Sequence, residues 1–397
     1  MTYDGPVKAN PGGQLAPNEV FGRDALIEGL WRILERQSVV LIAERRMGKT
    51  QVIKKMQAES PFEKLPVYHD FEGVRSALEF VEIVFHDVER FLSRWQRTAE
   101  RTRLVLSKLG GGEAAGLKFP EQVGPHWKAL LTHTIEDLVE HQREKQVIFL
   151  WDELPLMIDN IRKAQGEPAA MELLDTLRAL RQSHAALRMV YTGSVGLHHV
   201  LSALRTAGYV NPSTNDMKTV EVGPLEVGDA EHLAIELLKG EGVQAPDLSL
   251  AARVIAEEAD NVPYYIHHIV DDLASRRQTA SAEVIRAMVA GRLRDPQDSW
   301  ELRHYFERIP RYYREGDSPL AYLILDSLAH SDQPLSLDAL FQQVQARIKT
   351  NDAEPTRNLL RLLQRDHYVI QNSDNTFQFR LRLIRRGWTI QRPRSVS

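Results

Sequence analysis

Two hydrophobic registers alternate along the first half of this chain. Short unbroken apolar runs at Val39 to Ile42 and Val147 to Trp151 read as buried strands, and Leu187 to Tyr191, apolar but for Arg188, reads as a third. Around them apolar residues recur with the helical period. Leu26, Ile27, Leu30, Trp31 and Leu34 form one such stripe, and Gln51 to Met56, Trp127 to Glu144 and Ala169 to Ser183 carry others. With further strands expected at Pro66 to Phe71 and Val220 to Leu225, and a long helical stretch starting near Ser76, the alternation predicts an α/β fold with a parallel β-sheet core.

The second half changes character. From Val227 to about Leu293 the pattern is helical, with Ala230, Leu233, Ala234 and Leu237 on one face and Ala251, Val254 and Ile255 on another. Residues 296–316 read as an aromatic and basic helix. Beyond it, helices are expected at Leu320 to Ala329, Leu337 to Arg347 and Ala353 to Arg365, then two short strands around the turn Asn372-Ser373-Asp374-Asn375. Three helices and a hairpin predict a C-terminal winged helix. The expected organisation is an N-terminal arm over 1–20, an α/β core over 21–225, a helical lid over 226–295, and a linker helix with the winged-helix domain over 296–397. Glycine-rich residues 108–125 read as a loop or flexible insertion.

The first strand breaks into Gly48-Lys49-Thr50 where a helix begins, which is the context of a Walker A phosphate-binding loop. Such a loop wraps phosphates with the backbone amides of Ala43, Glu44, Arg45, Arg46, Met47, Gly48, Lys49, Thr50 and Gln51. Lys49 reaches the β/γ oxygens and the Thr50 hydroxyl serves Mg²⁺. Ala43 stands where the pattern has its first glycine, and alanine is strained wherever a turn demands left-handed backbone.

About a hundred residues later the run through Leu150-Trp151 ends in Asp152-Glu153. Acids at the carboxyl edge of a parallel sheet lie where ligands bind, so Asp152 is a candidate Mg²⁺ ligand and Glu153 a candidate general base. The alternative is a buried strand followed by an acidic helix start. Thr192 and Ser194, at the end of the next strand, are candidates for contacting the γ-phosphate or the attacking water; a Thr-Gly-Ser turn that merely ends a strand is the other reading. Asp70 and Glu72 sit at a further strand end, where a cap or turn role is expected.

Composition narrows the classes. The chain has 397 residues, 43% hydrophobic and 26% charged, as expected of a soluble multidomain protein. No apolar run approaches a membrane span and no secretory pattern opens the chain, so a cytoplasmic protein is expected. Zero cysteines exclude disulfides and cysteine-ligated metals, and the fourteen histidines have no convincing metal spacing. A net charge of -4 argues against a generally basic nucleic-acid coat but leaves room for a local patch. Arg357, Arg361 and Arg365 recur every four residues on the third C-terminal helix, and Arg380 to Arg394 holds six arginines and no acid. These could lie against double-stranded DNA; a solvated face or a protein contact is the competing reading. The aromatics from Trp300 to Tyr313 divide likewise between base stacking and domain packing.

Taken in order, Phe21-Gly22-Arg23, Glu44-Arg45-Arg46-Met47-Gly48-Lys49-Thr50, Leu150-Trp151-Asp152-Glu153, Thr192-Gly193-Ser194, Val222-Gly223-Pro224-Leu225 and Val262-Pro263-Tyr264-Tyr265 resemble the archaeal-type ATPases. These are STAND-class P-loop NTPases, related to AAA+ and origin-recognition initiator ATPases. The resemblance runs from about Val20 to Tyr265. It implies ATP and Mg²⁺ as cofactors, Phe21, Gly22 and Arg23 flanking the adenine, and a lid contact from Pro263 and Tyr264. It also implies a nucleotide switch controlling assembly on DNA or a partner effector. A homo-oligomer is a further expectation; Arg205 stands where related ATPases carry an arginine finger, although a solvated surface arginine is the favoured reading of it. A slow or non-hydrolysing ATP-bound scaffold, whose winged helix binds protein, is the alternative.

Overall fold

Val39, Leu41, Val147 to Trp151 and Met189 to Tyr191 are buried on both sides of one sheet, the condition that produces unbroken apolar strands. The computed structural model describes residues 6–91, 121–193 and 196–393. The glycine-rich insertion falls largely outside these, as does Ser194. The described chain divides into a sheet unit, residues 23–42 and 48–222, and a helical unit, residues 6–22, 43–47 and 223–393.

In the sheet unit, α1 (Asp24–Leu34) leads into β1 (Ser38–Ile42) and α2 (Lys49–Ala58). Then follow β2 (Lys64–Asp70), α3 (Ala77–Glu89), α4 (Trp127–His141), β3 (Gln146–Asp152), α5 (Leu154–Gln165), α6 (Glu167–Ser183), β4 (Leu187–Thr192), α7 (Leu197–Thr206) and β5 (Met217–Glu221). All five strands are parallel, in the order β2-β3-β4-β1-β5. Thus β4 lies between β1 and β3, and the carboxyl ends of these three strands are neighbours. Ser76 starts α3 by accepting from Glu79 N at 3.1 Å.

The fifth strand lies earlier than the Val220 to Leu225 expected. Val222 still donates to Ile42 O at 2.8 Å, but Pro224 has no N–H with which to extend the ladder. Trp151 is fully buried, stacked on Phe149 at 4.9 Å and edge-on to Phe80 at 5.2 Å. Its bulk fills the core on the face opposite the neighbouring Asp152, as strand alternation requires. Buried Arg181 binds both oxygens of Asp216 at 2.8 and 2.9 Å and donates to Tyr191 Oη at 2.6 Å. This ties α6 to β4 and to the segment before β5.

In the helical unit, α8 (Val227–Glu241), α9 (Leu248–Glu258), α10 (Pro263–Ser275) and α11 (Ala282–Arg292) bury Leu233, Leu237, Ile255, Ile266 and Ile269. Residues 6–22 are tied to them: Ala9 N donates to Glu241 at 2.9 Å and Asn10 N to His267 Nδ1 at 3.1 Å. The aromatic helix expected over 296–316 is shorter, α12 (His304–Tyr312), because Asp298 and Glu301 take positive φ of 49° and 54° ahead of it. Trp300, Tyr305 and Tyr313 are buried, and Phe306 stacks on Trp388 at 4.2 Å, so these rings pack the unit and are not open to stack on bases.

The chain ends with α13 (Ser318–Ala329), β6 (Leu335–Ser336), α14 (Leu337–Ile348), α15 (Glu354–Arg365), β7 (Val369–Gln371), β8 (Thr376–Phe379) and α16 (Arg382–Gln391). The three strands form an antiparallel sheet in the order β6-β8-β7. Among the described residues, no helix is long and apolar enough to cross a membrane.

Candidate nucleotide-binding site

Gly48 caps α2 with φ 86° and open space around its α-carbon, so the backbone turn, and not crowding, calls for glycine. Lys49 and Thr50 form the first turn of α2 at the edge of the sheet. The Thr50 hydroxyl donates to Asp152 Oδ2 at 2.6 Å, and Asp152 Oδ1 accepts from Glu153 N at 3.0 Å. Burial pushes the Asp152 carboxyl above its ordinary range; the Thr50 hydrogen bond opposes that shift and nearby Asp70 adds to it. Two hard oxygen donors in contact, one carrying a desolvation penalty in its charged form, fit a magnesium ion.

Glu153 follows at the helix entrance in a left-handed conformation, φ 53°. Its carboxylate reaches the turn after β4. A Cβ added to Gly193 would meet Glu153 Oε2 and Cα at 3.3 Å and Pro155 Cδ at 2.9 Å. Glycine at 193 therefore leaves the space that this acid occupies. Thr192, the last residue of β4, is buried, and its hydroxyl has no hydrogen-bond partner among the described residues. The strand order thus brings Thr50, Asp152, Glu153 and Thr192 to one edge of the sheet. Arg205, near the end of α7, is exposed.

Residues 43–47 of the loop belong to the helical unit. Ala43 does not take a positive φ; the left-handed residue of this segment is Arg46, at φ 73°, so alanine at 43 brings no left-handed strain. Glu44 is buried and binds Arg308 NH1 at 2.9 Å while also accepting from Arg45 N at 2.9 Å. Arg45 binds Glu301 at 3.0 Å and His304 Nδ1 at 3.2 Å. Arg46 pairs with the same Glu301 carboxylate and lies over the Tyr264 ring at 4.3 Å. Burial, followed by the charges of Arg45 and Arg308, lowers the His304 pKa to about 3, so the ring accepts from Arg45 as a neutral imidazole. Met47 is fully buried, and Gln51 is half-buried in the first turn of α2.

Elsewhere in the helical unit, Phe21 stands edge-on to His232 at 5.3 Å, and Gly22 takes φ 63° against Asp229, whose Cβ would lie 2.6 Å from an added side chain. Arg23, buried, caps α1 in the sheet unit. Pro263 opens α10 at its first position. Asn261 just before it is left-handed at φ 56°, a conformation that asparagine tolerates.

On α15, Arg357 is paired with Glu354 and Arg361 lies 3.5 Å from Asn358, while Arg361 and Arg365 are exposed. Much of the basic tail is engaged within its own unit. Arg382 and Arg386 bind Asp260 and Glu258 at 3.2 and 2.6 Å, Arg385 donates to Ala329 O at 3.1 Å, and Arg392 binds both oxygens of Asp326 at 2.7 and 2.8 Å. Sequence reasoning did not single out Glu301, His304 or Arg308. No local pattern marks them, because each gains its role from a partner far away in the chain.

No protein-family model and no curated protein matches the sequence. Solved structures do resemble the fold. A Walker-type ATPase of Pyrococcus abyssi superposes with a TM-score of 0.62 at 18% identity, covering 94% of this chain and 96% of that one. The ORC2 protein of Aeropyrum pernix, solved as ADPNP-ADP complexes, superposes with a TM-score of 0.56 at 12% identity, covering 95% of each chain. The likeness extends over nearly the whole length, and it shows that this chain shares the fold of these two proteins.

Proposed function

We propose that this protein binds ATP and hydrolyses it to ADP and phosphate, using the edge of the parallel sheet as its catalytic site. The observation that carries this reading is that Lys49 and Thr50, at the start of α2, share one edge of the sheet with Asp152 and Glu153, with Thr50 donating to Asp152. Backbone N–H groups of the loop and the start of α2 bind the phosphates, and Lys49 neutralises their charge. Thr50 and Asp152 would hold Mg²⁺, whose chemistry there is to withdraw electron density from the phosphate oxygens. Glu153 orients the attacking water and accepts its proton. Thr192 or Ser194 stands by for the terminal phosphate, and Phe21 to Arg23 with Pro263 and Tyr264 serve the nucleotide as the resemblance implies.

In this reading nucleotide state sets the arrangement of core, lid and C-terminal domain, because a ligand shifts an equilibrium only by binding its states unequally. The segment from α13 to β8 acts as a winged helix that presents Arg361 and Arg365 to duplex DNA or to an effector protein. A second reading, an ATP-bound scaffold that contacts protein, draws support from the internal pairing of Arg357 and of the tail arginines.

Phosphate release from the purified protein, beside Lys49→Ala and Glu153→Gln, tests the proposal. Turnover lost in both variants supports the ATPase. Lys49-dependent ATP binding without turnover leaves the scaffold, and stimulation by duplex DNA or by self-association assigns the partner. Absence of ATP binding defeats both readings.

A further inference from the structure

Arg308 is a buried arginine that belongs to no motif. It lies in α12, far along the chain from the phosphate loop, and its NH1 holds the Glu44 carboxylate at 2.9 Å with both side chains almost fully enclosed. Its other terminal nitrogen, NH2, lies 3.8 Å from Asp366, which caps α15 and accepts from Tyr313 Oη at 2.6 Å. The guanidinium also stands 5.5 Å from the Tyr368 ring centre. Burial alone would lower the arginine's pKa, but the facing Glu44, Tyr368 and Asp366 raise it, so the charge is kept. An ion pair removed from water is not needed merely to fill a core, since apolar side chains of similar volume stabilise as well. What such a pair supplies is a defined geometry.

Glu44 has a second task. The same oxygen that receives Arg308 accepts the backbone N–H of Arg45, immediately before Arg46 turns left-handed at φ 73°. Arg308 thus fixes an acceptor that fixes the loop backbone. We propose that Arg308 is a positioning residue for the phosphate loop, acting through Glu44, and that Asp366 makes the end of α15 part of the same support. Whatever bears on α15 is then felt at the nucleotide loop, and nucleotide is felt at α15 to the same extent. The inference rests on the reading of residues 43–50 as a nucleotide loop.

The test is calorimetric titration of the full-length protein with ATP and Mg²⁺, together with turnover. The variants are Glu44→Gln, Arg308→Gln, their double, Arg308→Lys and Asp366→Asn, with Lys49→Ala as control. Each neutral single variant should weaken ATP binding by about tenfold. The double should be no weaker than the worse single, because both changes break one link. Arg308→Lys should recover part of the affinity, and Asp366→Asn should fall between it and wild type. Affinity within twofold of wild type in both neutral singles, or effects that add in the double, would overturn the proposal while leaving the ATPase reading intact. If Arg308→Gln does not fold, Arg308→Lys and Asp366→Asn decide: wild-type affinity in both overturns the proposal. Wild type that binds no ATP defeats the nucleotide reading and this inference with it.

Discussion

The Thr50 hydroxyl donates to Asp152 across 2.6 Å, joining the first turn of α2 to the end of β3. One residue closes the candidate phosphate loop and the other ends an apolar strand. Thr50→Ala or Asp152→Asn should therefore reduce turnover by at least about a hundredfold while ATP binding without Mg²⁺ survives, since the oxygen donors and not the loop amides are lost. Mg²⁺ titrations of nucleotide affinity check this. Unchanged Mg²⁺ dependence in both variants would count against the assignment.

Gly193 gives a separate test of Glu153. A methyl group there would press on Pro155 and on the Glu153 carboxylate. If Glu153 acts as the proposed general base, Gly193→Ala should lower kcat by more than about tenfold while ATP affinity stays within about twofold, because displacing that base weakens the chemical step and not ground-state binding. Equal losses in affinity and turnover would show a wider disturbance of the site.

Glu301 places one carboxylate against both loop arginines and remains partly exposed. Removing its charge should strengthen binding of an anionic nucleotide. A partly exposed pair is worth at most about 1 kcal/mol, so Glu301→Gln should tighten ATP binding up to about fivefold at low salt, with the gain shrinking as salt rises. Titrations at two ionic strengths check the sign, which general damage to the fold would not produce.

Stability should fall with acidification. His267 is enclosed and accepts from Asn10 N, and burial followed by neighbouring His268 lowers its pKa to about 4. A histidine depressed in the folded state binds fewer protons than in the unfolded chain between that value and about 6.5. Its contribution is present above about pH 6.5 and is lost as pH falls toward 4, with a full size on the order of 3 kcal/mol. Thermal melts from pH 7.5 to 4.5 should show this slope, and His267→Gln should flatten it.

The stripe on α15 separates its arginines. Arg361 and Arg365 are exposed, whereas Arg357 is paired with Glu354. Under the DNA reading, Arg361→Glu with Arg365→Glu abolishes duplex binding, and Arg357→Ala leaves it within about twofold, since an arginine already paired releases few counterions. Fluorescence anisotropy against salt concentration checks both. Retained DNA binding in the double variant would remove α15 from the interface.

Much of the fold was legible because its determinants are local. Apolar runs marked β1, β3 and, despite Arg188 within it, β4, and the residues at or soon after their ends gave the candidates Lys49, Thr50, Asp152, Glu153 and Thr192. Most helices of the second half followed from their periodicity, which depends only on near neighbours in the chain, whereas α16 falls in the stretch read only as an arginine-rich tail. Where local signals were read too far, chemistry elsewhere intervened: Pro224 stopped the ladder of β5, and left-handed Asp298 and Glu301 shortened α12.

By itself the sequence determined a parallel α/β core followed by helices, with a candidate phosphate loop and two acids at the end of one strand, since periodicity and motif spacing are written into consecutive residues. Only the tertiary structure decided that β4 separates β1 from β3, that Gly193 makes room for Glu153, and that the loop's Glu44 is held by Arg308. The physical reason is that strand order and buried ion pairs depend on which distant segments exclude water together. No spacing between neighbouring residues records that choice.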